Sequence, residues 1–150
     1  IPQLYYGTEI LMKNFRSPSD AEVRKDFPGG WKEDQVNKFL KSGRTAGEEE
    51  TFTYISALAN FRKNSSAIGK GKLMQYVPRD GLYVYFRYDS NQTVMVVSHT
   101  GSKPVQPDWN IFTERTAGFS KMKNVVTGDL TPMKDFEIKP AESFVFELIK

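Results

Sequence analysis

Residues able to do chemistry are few in this chain and lie far apart. There is a single histidine, His99, just past a predicted strand, and no cysteine. Disulfides, thiolate metal sites and cysteine nucleophiles are therefore excluded. A lone histidine in a loop reads as a surface residue. Without a second imidazole or a thiol, a metal site would have to be built from oxygens, and no Asp/Glu spacing matches a calcium loop. Gly69-Lys70-Gly71 lacks both the spacing and the Ser/Thr after lysine that a phosphate loop requires. What is left is carboxylates and aromatic rings. Paired carboxylates cleave glycosidic bonds, but most acidic residues here sit in polar segments. Glu9 differs, standing at the end of an apolar run; alone it cannot be both acid and nucleophile, and pairing with an arginine or a backbone amide competes with substrate contact. Asp26-Phe27-Pro28-Gly29-Gly30-Trp31 reads as a rigid loop whose rings stack on a sugar or anchor the loop to its own domain. Tyr83, Tyr85 and Tyr88 fit sheet faces better than an open platform.

The elements that must position these residues change character near Gly69-Lys70-Gly71. Residues 1–9, IPQLYYGTE, do not alternate and predict a short strand buried on both faces. Residues 13–44 are polar and rich in Pro and Gly, too long for an ordinary connection; short helices are expected at 19–25 and 33–41. The strongest helix signal is 46–63. Thr45 and Glu48 have capping-box spacing, the glutamates at 48–50 suit the positive end of the helix dipole and Arg62 and Lys63 the negative end. Phe52, Ile55, Leu58 and Ala59 form its apolar face. From residue 72 strands dominate, at 72–77, 82–88 and 93–98, with weaker ones at 123–127 and 134–138 and a last one at 143–149. Closely spaced strands without intervening helices predict an antiparallel β-sandwich.

Composition narrows the functional classes. The hydrophobic fraction of 39% and charged fraction of 26% are those of an ordinary globular protein, and no apolar run is long enough to cross a bilayer. The net charge of +3 is spread evenly, with eleven Lys+Arg against nine Asp+Glu in residues 1–70 and ten against nine in 71–150. Nucleic-acid binders concentrate their basic residues, so no nucleic-acid partner is implied. A start at Ile1-Pro2 with no leader reads as a processed or truncated N-terminus.

Several of these segments resemble one family. Ile1-Pro2-Gln3-Leu4-Tyr5-Tyr6-Gly7-Thr8-Glu9 is similar to the last barrel strand of α-amylase-family glycoside hydrolases. Arg24-Lys25-Asp26-Phe27-Pro28-Gly29-Gly30-Trp31 resembles the loop after that strand in members of the neopullulanase and cyclomaltodextrinase type. Arg44-Thr45-Ala46 and the run from Phe52 to Lys63 resemble the final barrel helix, and residues from about 71 onward the β-sandwich that closes these enzymes. The motifs follow the family's order over essentially the whole chain.

The resemblance implies a mainly β fold: a C-terminal antiparallel β-sandwich at 71–150, preceded at 1–70 by a partly helical remnant of a (β/α)8 barrel. The helix at 46–63 would dock its apolar face on the sandwich. Active sites of such barrels lie at the C-terminal ends of the strands, which puts Glu9, Arg24, Asp26 and Trp31 on the substrate rim. The family's catalytic carboxylates belong to strands upstream of Ile1, so no catalytic residue, cofactor or metal is expected in this chain. Its expected partners are the rest of the barrel and an α-glucan oligosaccharide such as a starch fragment or a cyclodextrin, and the parent is expected to be an exported or periplasmic hydrolase. Two rival readings are a carbohydrate-binding module gripping α-glucan through exposed aromatics and an interaction domain without sugar affinity. A binding module requires two or three rings in the open; a scaffold buries Tyr83, Tyr85, Phe86 and Tyr88.

Overall fold

The alternation of residues 82–99 is realised as two seven-residue strands, β2 (Leu82–Tyr88) and β3 (Thr93–His99), in a computed structural model that describes residues 3–133 and 136–150. They pair antiparallel with Phe86 opposite Met95 and Val84 opposite Val97. Four further strands complete the sheet: β1 (Lys72–Gln75), β4 (Lys121–Asn124), β5 (Leu130–Pro132) and β6 (Ser143–Ile149). The order is β1-β2-β3-β6-β4-β5, antiparallel throughout. The mainly β, antiparallel class expected from the sequence is what the chain adopts.

By its internal contacts the chain divides into two units, Ile1–Ser56 and Ala57–Lys150. In the second, the period-2 pattern sends one set of side chains to a common face. Val84, Phe86, Met95, Val97, Met122, Phe146 and Leu148 make that face, and Phe112, Met133 and Ile138 close over it. Tyr76 packs edge-on against Phe112, with ring centres 4.9 Å apart, and Phe136 against Phe146 at 5.0 Å. The segment carrying Phe112 is a 3-10 turn, Trp109–Phe112, capped by the Asp108 carboxylate, which accepts from the Asn110 N–H at 3.0 Å. The four-residue helix α3 (Thr113–Thr116) follows it. A single bridge, Val105 to Ile138, ties the covering segment together.

The opposite face is partly covered by a short helix, Ser66–Lys70. Ser65 caps it, accepting from the Ile68 N–H at 3.2 Å. Its C-terminal carbonyls are met from β2 by Arg87, which donates to the oxygens of Ile68 (2.9 Å), Gly71 (2.8 Å) and Ala67 (3.3 Å). Gln92 accepts from Ser65 and donates to Glu147 on β6 at 2.6 Å. The polar groups that the helix brings to the sheet are thus paired, as burial demands.

The first unit differs from its sequence reading in three places. Residues 3–7 form no strand: Leu4, Tyr5 and Tyr6 are exposed, and the chain turns through Gly7 into a 3-10 turn, Thr8–Ile10. Among the described residues there is no adjacent strand to ladder with, so the backbone closes locally, the N–H groups of Ile10 and Met12 both donating to the Gly7 carbonyl. The helix expected at 19–25 is a single 3-10 turn, Asp20–Val23. No helix forms at 33–41, because the Asp34 carboxylate takes backbone donors locally instead.

The helix at 46–63 is present as Ala46–Asn64, called α1 here, with Ser66–Lys70 as α2. Its capping box is made: the Thr45 N–H donates to the Glu48 carboxylate at 2.7 Å, and the Glu48 N–H to the Thr45 hydroxyl at 3.4 Å. Its expected buried stripe is not: no residue of α1 is buried, Phe52, Ile55 and Leu58 being half-buried and Ala59 exposed.

Candidate functional site

The residues singled out as a substrate rim all lie in the first unit, and loop chemistry rather than a strand end sets their places. Gly29 adopts φ +109, and a Cβ there would come within 2.7 Å of the Asn37 Cα; only glycine suits such a conformation. The turn it permits points two backbone donors at Asp34, whose carboxylate accepts from Gly29 at 2.6 Å and Trp31 at 3.0 Å. These bonds, led by that from Trp31, hold the Asp34 carboxyl below the usual carboxylate range. Phe27 packs on Phe39 at 4.5 Å. Trp31 is left 63% exposed at the tip. Of the two roles weighed for this ring, stacking outward and anchoring its own domain, the loop's internal ties leave it free for the first.

Arg24 and Asp26 flank Lys25, whose carbonyl accepts from the Tyr6 hydroxyl at 3.0 Å. Tyr6 thereby pins this part of the loop to the N-terminal segment. The Arg24 guanidinium reaches Asp20 at 3.9 Å. Glu9 is half-buried in the 3-10 turn after Gly7 and lines a hollow of about 420 Å3 with Leu4, Tyr5, Tyr6, Phe52, Ile55 and Ser56. The Tyr5 and Tyr6 rings lie 4.6 Å apart along one wall. Among the described residues, no second carboxylate lines this hollow. Glu9 and Tyr6 thus share a site, the Tyr6 hydroxyl joins it to the backbone between Arg24 and Asp26, and Trp31 stands on its separately braced tip.

Arg44 organises the other end of the loop and carried no distinct signal in the sequence beyond its motif. Its side chain is 5% exposed. It pairs with Glu49 at 2.6 Å, donates to the Lys38 and Phe39 carbonyls at 2.8 and 3.1 Å, and lies over the Phe52 ring at 3.9 Å. Beside it, Lys38 meets the Glu48 carboxylate at 2.6 Å, which lowers that carboxyl from its ordinary range. Asp34 and Tyr6 were likewise missed; an acid five residues after Gly29 was the only trace of the first.

Two readings outside this loop change. His99 is not a surface residue but the buried last residue of β3, its Nε2–H donating to the Lys103 carbonyl at 2.7 Å while the Gly101 N–H approaches Nδ1 at 3.4 Å. Phe86 is buried and Tyr83, Tyr85 and Tyr88 are half-buried. Burial raises the Tyr85 hydroxyl above its usual range. Among the described residues, no group of three or more His, Asp or Glu side chains is placed to hold a metal ion.

Known proteins match this arrangement at two levels. The family model described as the cyclo-malto-dextrinase C-terminal domain matches residues 73–147. A cyclomaltodextrin glucanotransferase of Klebsiella oxytoca is 33% identical over 101 residues, 67% of this chain and 14% of the relative. Among solved structures, α-amylases of Anoxybacillus and Geobacillus thermoleovorans superpose with TM-scores of 0.60 and 0.62, at 18% and 16% identity. They cover 96% and 97% of this chain, which spans 28% and 29% of theirs. A maltogenic amylase of S. marinus gives a TM-score of 0.62 at 14% identity over 96% of this chain and 16% of its own. The family match over 73–147 places this chain in the cyclo-malto-dextrinase C-terminal domain family, and the antiparallel sheet of the second unit is part of the fold it shares with the solved amylases.

Proposed function

We propose that this chain serves a larger α-glucan-hydrolysing enzyme as its closing domain together with the segment that joins it to the catalytic barrel, and that it is not catalytic alone. The carrying observation is the contrast between its units. In the described part of the first, Ile10 is the sole buried hydrophobic residue, while Leu4, Tyr5, Phe15, Trp31, Phe39 and Leu40 are exposed. A segment that turns this much apolar surface outward is suited to packing against another body. The second unit, with a closed core of its own, is suited to support it. In this reading residues 1–70 belong with the barrel, residues 71–150 are the supporting domain, and the parent acts on starch-derived oligosaccharides or cyclodextrins with retention. The small share of each relative that the chain spans supports a parent whose catalytic carboxylates lie elsewhere.

A second role rests on Trp31. Its ring is open, its loop is braced by Asp34, and Glu9, Arg24 and Asp26 lie on the same unit. We assign these four to the rim of the substrate groove, with Trp31 as the stacking surface for a glucosyl ring. The half-burial of Tyr83, Tyr85 and Tyr88 speaks against a separate binding module on the sheet.

Calorimetric titration with maltoheptaose and with β-cyclodextrin, with reducing-sugar release followed in the same samples, tests whether the chain alone is a non-catalytic support. The expected result is no turnover and no saturable heat from the chain by itself. Binding without turnover that disappears in Trp31→Ala moves the reading to a carbohydrate-binding module. Turnover overturns the non-catalytic assignment.

A further inference from the structure

The second unit carries a feature that the glucan reading does not use. We propose that the hollow where α2 ends against the β1–β2 edge is an oxyanion site that accepts a phosphate group, either free or carried on a sugar as its monoester. The hollow measures about 470 Å3 and is lined by Lys70, Gly71, Lys72, Tyr88, Asp89, Ser90 and Arg115.

Three cations converge there with little to balance them. Lys70 and Lys72 have no carboxylate partner within ion-pair reach among the described residues. Arg115 lies over the Tyr88 ring at 4.0 Å, and its ion-pair partner, Glu114, stands 3.9 Å from Nη2. Its Nε is buried with no acceptor. The Arg115 side chain is 24% exposed, and a phosphate oxygen is a charge-assisted acceptor for a guanidinium. Among the described residues Asp89 is the acid in this lining; its Oδ1 accepts from the Asn91 and Gln92 N–H groups at 2.8 Å each, and its one negative charge stands against three positive ones.

The backbone is arranged to the same effect. Register sets Lys72 opposite Tyr88 on the sheet. Gly71 runs so close to this strand that a Cβ would come within 2.6 Å of the Tyr88 carbonyl and would strike that of Ala67. Glycine thus presses the Lys70-Gly71-Lys72 run against Tyr88. The carbonyls of Ala67, Ile68 and Gly71, which would repel an anion, are taken by Arg87. No phosphate loop is involved, since the Gly71 N–H is used within α2; the donors are side chains. The volume falls in the range of small-molecule pockets and leaves room beside a phosphate for a hexose.

The test is calorimetry on the full 150-residue chain at low ionic strength, with inorganic phosphate, glucose 6-phosphate and glucose as titrants. We expect saturable 1:1 binding of both phosphates and none of glucose. Tighter binding of glucose 6-phosphate identifies a sugar phosphate as the source, and equal binding the free anion. The double variant Lys70→Gln/Lys72→Gln alters two exposed side chains and should weaken binding at least about tenfold, with thermal melting confirming that it folds. Arg115→Gln should weaken it further. Absence of saturable phosphate binding, or binding undiminished in the folded double variant, overturns the proposal.

Discussion

Two arginines show how much one side chain organises here. Arg44 joins a carboxylate, two carbonyls and an aromatic ring within the first unit. Arg87 closes the end of α2 through three carbonyls. Both depend on the planar guanidinium fork, which a lysine does not reproduce. Arg87→Ala leaves those oxygens without donors and should destabilise the sheet unit by about 2 kcal/mol, read as a shift of the urea midpoint. Arg87→Lys should recover only part of that. An unchanged midpoint in the alanine variant would mean water replaces the guanidinium at no cost. At this scale the sequence was partly legible. The Phe27–Trp31 loop stood out by composition, whereas Arg44, Asp34 and Tyr6 did not, because their roles depend on backbone atoms brought close only by folding.

Elements read best where a period runs long enough to be counted. The strands at 82–88, 93–99 and 143–149 were legible from alternation and the helix at 46–64 from its capping box. Of the shorter strands, the one expected at 72–77 is present as β1, Lys72–Gln75, while those expected at 123–127 and 134–138 were misplaced. Val125 and Val126 look like strand residues, yet they sit in a turn: the Asn124 side chain accepts from the Val126 N–H at 2.8 Å, and the Gly128 N–H returns to the Asn124 carbonyl at 2.8 Å. That turn places β4 earlier, at 121–124, and β5 at 130–132. Of the strand expected at 134–138, Lys134 and Asp135 lie outside the described residues, and Ile138 makes only its bridge to Val105. The apolar run at the N-terminus misled for another reason, since hydrophobicity alone does not supply ladder partners. The capping box yields a direct test. Thr45→Ala should cost about 1 kcal/mol, seen as faster cleavage in residues 13–44 by a protease at low concentration. A cleavage rate equal to the parent's would show that the Lys38 and Arg44 pairs hold the helix start without the cap.

For the molecule as a whole, acid should act through a few carboxylates. Asp34, Glu48 and Asp89 are each held below their ordinary range, by the Trp31 N–H, the Lys38 ammonium and the Ser66 hydroxyl respectively as the leading causes. A depressed folded-state pKa gives stability that is present above the unfolded value and lost as pH falls through the folded one. The chain should therefore hold its stability at neutral pH and lose it progressively below about pH 4, monitored by thermal melting across pH. The Asp34→Asn variant should show a shallower loss. A melting temperature that stays flat down to pH 2 would contradict this account. Placing Asp34 and Asp89 in different units also lets the two be followed separately, in a Trp109→Phe variant, by the fluorescence of Trp31 and by the far-ultraviolet signal of the sheet.

The strand order carries one more consequence. β6 is the last of the six strands in the chain, yet it lies between β3 and β4. Until it is in place, β1–β2–β3 and β4–β5 are two separate ribbons, each with a raw edge. During synthesis the ribosome must deliver residues 143–149 before either ribbon can be joined, so the sheet assembles late and all at once rather than strand by strand. The nascent domain therefore exposes the β3 edge, with Val94, Met95 and Val97 along it, for the whole time that residues 100–142 are being made, and it is in that interval that a chaperone would find it.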